Sequence, residues 1–153
     1  MRISLITLAC SVFLACNPAP EGNDAAEPAS AEPPAPSAAE IQDRAWYFVE
    51  AAGSPIIPAW DSDRSASLTL SSEDSQATGS SGCNRMMGGY TIDGSSIRFN
   101  AIAGTRMACP EPEMQVEQSV HSALEAVRSW EIQGDTLILR GEGAVMARLV
   151  QRP

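Results

Sequence analysis

Downstream of residue 41 the chain alternates apolar and polar positions with a period of two, and one stretch departs from that rhythm. Such alternation sends successive side chains to opposite faces of a half-buried strand. Ala45-Trp46-Tyr47-Phe48-Val49-Glu50 is rich in aromatic and β-branched side chains and predicts the first strand. Gly53-Ser54-Pro55 and Pro58 stop it, leaving a loop through Trp60. Ser67-Leu68-Thr69-Leu70-Ser71 alternates again and predicts a second strand. Asp93-Gly94, between residues 90–92 and 96–100, predicts a hairpin with a type I′ turn. Gly134-Asp135 separates residues 130–133 from 136–140, and Gly141-Glu142-Gly143 leads on to residues 144–151. The last three strands therefore form a meander, and the total is about seven.

The departure covers residues 112–127, where Val116, Val120, Ala123, Leu124 and Val127 recur at helical spacing. Pro110 and Pro112 suit a first turn, in which a missing N–H costs little. Glu111, Glu113 and Glu117 place negative charge near the positive end of the helix dipole, and Arg128 follows the other end. One amphipathic helix among short antiparallel strands predicts an α+β fold, mostly antiparallel β, with the sheet curled around the helix or plugged by it. No internal repeat is present.

The N-terminal residues follow other rules. Arg2 precedes a nearly uncharged apolar run, residues 3–15, shorter than the ~20 residues that a transmembrane helix needs. This is the layout of a bacterial export signal. Phe13-Leu14-Ala15-Cys16 resembles a lipobox, in which cleavage precedes the cysteine and its thiol receives diacylglycerol. Cys10 has a similar context, but cleavage there would leave apolar residues 11–15 on the mature chain, so Cys16 is the expected anchor. The alternative is an ordinary secretory signal cut nearby. Residues 17–40 contain Ala, Pro and acidic side chains but no Ile, Leu, Val, Met or aromatic residue. That composition cannot offset the entropy of ordering, and predicts a disordered tether. The expected organisation is a lipoprotein signal peptide (1–16), a tether (17–40) and one globular domain (41–153). The expected location is the cell envelope, at the outer membrane facing the periplasm, because Asn17 rather than Asp follows the lipid cysteine.

Residues 41–153 carry 14 acidic side chains and 9 arginines, a net charge of 9 − 14 = −5, and the chain has no lysine. Without a basic stripe, nucleic-acid binding and direct adsorption to anionic headgroups are both disfavoured. The expected membrane contact is the lipid anchor alone, and the domain is expected to be a monomer.

Two segments carry the only cysteines beyond the leader: Gly82-Cys83-Asn84-Arg85-Met86-Met87-Gly88-Gly89-Tyr90 and Thr105-Arg106-Met107-Ala108-Cys109-Pro110. In an oxidising compartment, Cys83 and Cys109 are first a candidate disulfide and only second a site for chemistry. Together with Trp46, the helix bearing Glu117 and Leu124, and the stretch 134–139, these segments resemble the META domain family, also called HslJ-like. The resemblance covers most of residues 44–151. It implies a partly open, or cracked, antiparallel β-barrel with one helix against it, and no established enzymatic reaction. Val120 and His121 stand where bulkier apolar side chains are expected, which predicts a looser helix face.

A thiol enzyme would need Cys109 activated at the helix N-terminus, with His121 as base. His121 is 12 residues further along the helix, so it stands roughly 18 Å away at 1.5 Å per residue. With one histidine and two paired cysteines, no nitrogen/sulfur metal set assembles, and no cofactor motif is present. Gly88-Gly89 predicts a bulge or a positive φ. Met86, Met87 and Met107 are expected in the core, with a plastic apolar groove as the alternative. Asn84, Arg85, Tyr90, Thr105 and Arg106 form a candidate partner-binding surface, in which Arg85 and Arg106 would receive an acidic partner. The expected function is a non-enzymatic envelope lipoprotein, displaying its domain for stress tolerance or assembly by binding a protein or peptide. The alternatives are a small-ligand or lipid carrier using the barrel interior, and a thiol enzyme.

Overall fold

The computed structural model describes residues 37–60 and 62–153. The export signal, Cys10, Cys16 and the tether as far as residue 36 lie outside the described residues. The domain begins before position 41. Ala38–Glu40 form a 3-10 turn, and the Ser37 amide donates to Glu40 Oε1 at 2.7 Å. The next residue, Ile41, is fully buried, and that anchor holds residues 37–40 in the domain rather than in a tether.

Nine strands follow: β1 (Ala45–Ala51), β2 (Ser54–Pro55), β3 (Ser67–Leu70), β4 (Gln76–Ser80), β5 (Arg85–Asp93), β6 (Ser96–Gly104), β7 (Ser129–Gln133), β8 (Thr136–Arg140) and β9 (Val145–Val150). The seven predicted strands are present. The two additional ones are β2, two residues long, and β4, whose small and polar sequence carries little strand signal. The sheet order is β2-β1-β3-β4-β5-β6-β7-β8-β9, and β9 also pairs with β1, closing the sheet into a ring. The ring is open at one seam, where β6 and β7 share the single register pair Ser96↔Ser129. This is the α+β, mostly antiparallel and partly open arrangement expected.

Helix α1 (Glu111–Ala126) connects the two strands of that seam and packs against β6, β9 and β1. β6 and β1 stand on opposite sides of the ring, and α1 turns one face towards them, with Val120, Ala123 and Leu124 buried, while its opposite face is exposed. Val120, Ala123, Leu124 and Val127 join one core cluster with Trp46, Phe48, Leu68, Leu137 and Leu149. Val120 is fully buried, so the helix face packs tightly; the looser face expected from that substitution is not seen. His121, beside it, is half-buried. Past the helix end, Arg128 Nη1 donates to the Glu125 and Val127 carbonyls at 2.9 and 2.7 Å, satisfying acceptors that a helix terminus leaves open.

Both buried indoles have partners, as a buried N–H requires. Trp46 Nε1 donates to the Ile41 carbonyl at 2.9 Å, and Trp130 Nε1 to the Gly94 carbonyl at 3.0 Å. The second bond clamps the β5–β6 hairpin onto β7. In that hairpin Asp93 pairs with Ser96, so Gly94 and Ser95 are the turn residues. Only Gly94 has positive φ, 54°, which is the sign pattern of a type II′ turn and corrects the type I′ expectation. At Gly88 the ladder shifts register: Met87 pairs with Ala103 and Gly89 with Asn100. The extra residues lie on β6, where Ala101 takes φ 48°. The bulge is there, and the positive φ falls on the partner strand instead of the glycines.

Gly79 on β4 is a close approach. A Cβ there would stand 1.9 Å from the Ser67 carbonyl oxygen and 2.8 Å from its carbon, both backbone atoms of β3. Backbone in a ladder cannot step aside as a side chain can. Gly79→Ala is therefore expected to cost about 2–3 kcal/mol, at the upper end for overpacking. Chemical denaturation of the isolated domain checks this, and a loss under 0.5 kcal/mol would contradict it.

Candidate functional site

The corner between β4 and β5, residues 81–84, brings the two cysteine segments together. Cys83 and Cys109 form a disulfide with Cα atoms 6.1 Å apart. Both sulfurs are consumed by the bond, so neither is a free thiolate. The bond joins the β4–β5 corner to the segment that leads into α1. Gly82 turns the corner with φ 98°, and its amide donates to Ser80 Oγ at 3.1 Å.

Next to the bond, Asn84 is only 2% exposed. Its Nδ2 donates to Glu117 Oε2 at 2.9 Å, and at 3.3 Å to both the Met107 carbonyl and Cys83 Sγ. Its Oδ1 accepts from the Thr105 hydroxyl and the Met107 amide, each at 2.8 Å. Thr105 Oγ1 in turn accepts from the Arg85 amide at 3.2 Å, and the Thr105 amide donates to the Arg85 carbonyl at 3.0 Å. One buried amide with its capacity filled thus links β5, residues 105–107 and α1.

The five residues of the candidate surface separate into two groups. Arg85, Thr105 and Arg106 are exposed, whereas Asn84 and Tyr90 are buried. Tyr90 shares the inward face of β5 with Met86; its hydroxyl donates to the Ser71 carbonyl and accepts from Gln42 Nε2, both at 2.7 Å. Asn84 is drawn inward because the disulfide folds its corner against the 105–109 segment. Neither side chain can meet a partner directly. The methionines divide as well: Met86 is core, while Met87 and Met107 are more than half exposed at 56% and 55%.

Strand register brings in residues that sequence patterning missed. Thr78 pairs with Met87 and Met87 with Ala103, while Ser67 pairs with Ser80 and Ser80 with Arg85. Cross-strand partners share a face. These two rows occupy the outer face, opposite the core residues Leu68, Ala77 and Met86. They line an open groove of about 720 Å³, completed by Asp63, Gly79, Met86, Gly104 and Thr105. Small side chains on β3 and β4 lie to one side and those on β6 to the other, and the longer Met87 and Arg85 of β5 rise between them. The period-two alternation Ala77 in, Thr78 out was present in the sequence, but only pairing with β5 shows that Thr78 meets Met87.

Among the described residues, ion pairs join Arg140 to Glu131 and Arg148 to Glu50, and Arg85 enters neither. No group of three His, Cys, Asp or Glu side chains among the described residues is placed to hold a metal ion. Away from the groove, Asp43 takes φ 56°. The hydroxyl and amide of Ser72 both donate to its carboxylate, and these hydrogen bonds hold its pKa below the ordinary carboxylate value. One oxygen of Glu113, on the first turn of α1, is buried without a hydrogen-bond partner among the described residues.

A family profile described as META domain matches residues 39–153. No curated protein is significantly similar to the chain. Among solved structures, an NMR structure of a protein from Burkholderia xenovorans is 27% identical, with a TM-score of 0.61, covering 74% of this chain and 85% of that one. A DUF4847 family protein from Bacteroides vulgatus, solved by crystallography, is 16% identical with a TM-score of 0.54, covering 73% of this chain and 94% of that one. At that identity the second likeness concerns the fold alone.

Proposed function

Because this chain belongs to the META domain family, we propose that it acts as a non-enzymatic binding domain in the bacterial cell envelope. In this reading Cys16 carries a lipid anchor at the outer membrane, and the domain faces the periplasm in a stress-tolerance or assembly role. The groove on the outer face of β3–β6 carries the binding half of the proposal. Its volume of about 720 Å³ is in the range of ligand sites. The lining residues Arg85 and Thr105 stand two residues after Cys83 and four before Cys109, so the disulfide and the Asn84 network hold the backbone at Arg85 and the side chain of Thr105 in place before any partner arrives. Preorganisation of this kind lowers the entropy lost on binding. The core cluster, by contrast, joins buried side chains of α1 to those of β1, β3, β8 and β9, which favours the outer face over the interior as the surface to use. The leader residues 13–16 support the anchor half.

Ala103→Trp puts a bulky neutral side chain into the groove from an exposed position and should leave the melting temperature unchanged. In cross-linking from envelope extracts, wild type is expected to capture a partner that Ala103→Trp loses. Equal recovery of every cross-linked species by the two proteins would sink the groove as the binding surface. Mass spectrometry of the mature chain is expected to find diacylglycerol on Cys16; an unmodified mature N-terminus elsewhere would remove the anchor.

A further inference from the structure

Resting on the reading of the groove as a binding surface, we infer that its partner is an extended acidic peptide segment, with one carboxylate seated on Arg85 and an apolar neighbour against Met87 and Ala103. Among the side chains lining the groove, the Arg85 guanidinium can only donate, the Ser67, Thr78 and Ser80 hydroxyls can donate or accept, and Asp63 can only accept. Arg85 offers five N–H groups in a planar fork, and no side-chain hydrogen bond or ion pair of that guanidinium is made among the described residues; only its backbone is engaged. Ser80 is 8% exposed, and its Oγ accepts from the Gly82 amide. The Ser80 hydroxyl proton has no acceptor among the described residues, and the same holds for the Thr78 hydroxyl. The Thr105 proton is already given to Asn84 Oδ1. The donor-only Arg85 guanidinium is the group in the groove that needs an acceptor, and it selects a negatively charged one, which the neighbouring hydroxyls can join as donors.

Size and polarity narrow the class. About 720 Å³ is far more than one inorganic anion fills, and the apolar side chains of Met87 and Ala103 would contribute nothing to such an ion. A chain segment crossing from β6 to β3 spans three interstrand spacings, roughly 14 Å, the reach of about four extended residues at ~3.4 Å each. Asp63, in the loop before β3, lines the same groove and makes no ion pair with Arg85 among the described residues. Its charge repels a second carboxylate, so the segment carries a single acid, seated on Arg85, with neutral or basic residues beside it. Arginine is suited to this role because its fork receives both carboxylate oxygens at once.

The test uses phage-displayed random octapeptides selected against the full-length protein, followed by fluorescence anisotropy on the best binders. Selection on wild type is expected to enrich one Asp or Glu beside an apolar residue. Replacing that acid by its amide should weaken binding about tenfold, the loss of one charge-assisted pair. Arg85→Gln should remove the preference for acid over amide, while Arg85→Lys should keep part of it, with both variants melting as wild type does. Peptides that need an open groove, failing on Ala103→Trp, yet show no acid preference would overturn this inference and leave the binding surface standing. Binders indifferent to both Ala103→Trp and Arg85→Gln would overturn both. Full competition by millimolar inorganic phosphate would identify a simple anion site and overturn the peptide.

Discussion

Asn84→Leu is expected to lower the unfolding free energy by about 4 kcal/mol, although the branched heavy-atom skeleton is kept. The reason is the number of groups that depend on one side chain. The substitution strips a donor from Glu117 and from the Met107 carbonyl, and strips the acceptor from the Thr105 hydroxyl and the Met107 amide. A neutral hydrogen bond contributes about 1 kcal/mol, one to a charged group about 1.5–3 kcal/mol, and each buried donor left without a partner adds its desolvation cost. For a domain of this size the shift in melting temperature is roughly 15 °C. Asn84→Asp is the sharper variant, because it keeps the shape and the acceptor while placing a carboxylate against Glu117 Oε2. Repulsion then raises the folded-state pKa of the introduced carboxyl above its unfolded value. Stability in such a case is greatest at low pH and falls as pH rises, so the deficit relative to wild type is expected to be smaller at pH 4 than at pH 7. Urea melts at the two pH values measure it, and a pH-independent deficit would argue against the carboxylate contact.

The second large effect concerns the disulfide. Replacing Cys83 and Cys109 by serine frees a loop spanning a sequence separation of 26 residues, and the chain-entropy model gives a loss of about 3.5 kcal/mol for such a loop. Wild type measured in reductant should coincide with the double-serine variant. If the reduced and oxidised wild type unfold at the same urea concentration, the bond is not contributing to stability. Coupling to Asn84 is also expected, since the bond and the amide order the same residues, 105–109. The triple variant should therefore lose less than the sum of the separate losses.

Much of the fold was legible because its strands are local and their patterns clean. Residues 45–50, 67–71 and 136–140 alternate or run apolar and appear as β1, β3 and β8. The helix, with its prolines in the first turn and Arg128 after the last, begins and ends within a residue of the expected bounds. β4 was not legible. Gln76-Ala77-Thr78-Gly79-Ser80 has one apolar side chain of any consequence, and it is a strand because β3 and β5 hydrogen-bond it on both edges. Two of the five candidate surface residues, Asn84 and Tyr90, turned out to be internal for a related reason. Polar type alone does not tell a side chain that meets solvent from one that satisfies a buried network.

By itself, the sequence determined the α+β class, the single helix among antiparallel strands, the cysteine pair available for bonding and the acidic, lysine-free surface. All of these follow from composition or from periodicity within one element. Only the tertiary structure decided where the helix goes, that Asn84 rather than either arginine sits at the centre of the cysteine segments, and that a groove lies outside the ring. Those features come from register between strands distant in the chain. Ser67, Thr78, Met87 and Ala103 become neighbours only once four strands are aligned, and no pattern within a single strand encodes that alignment.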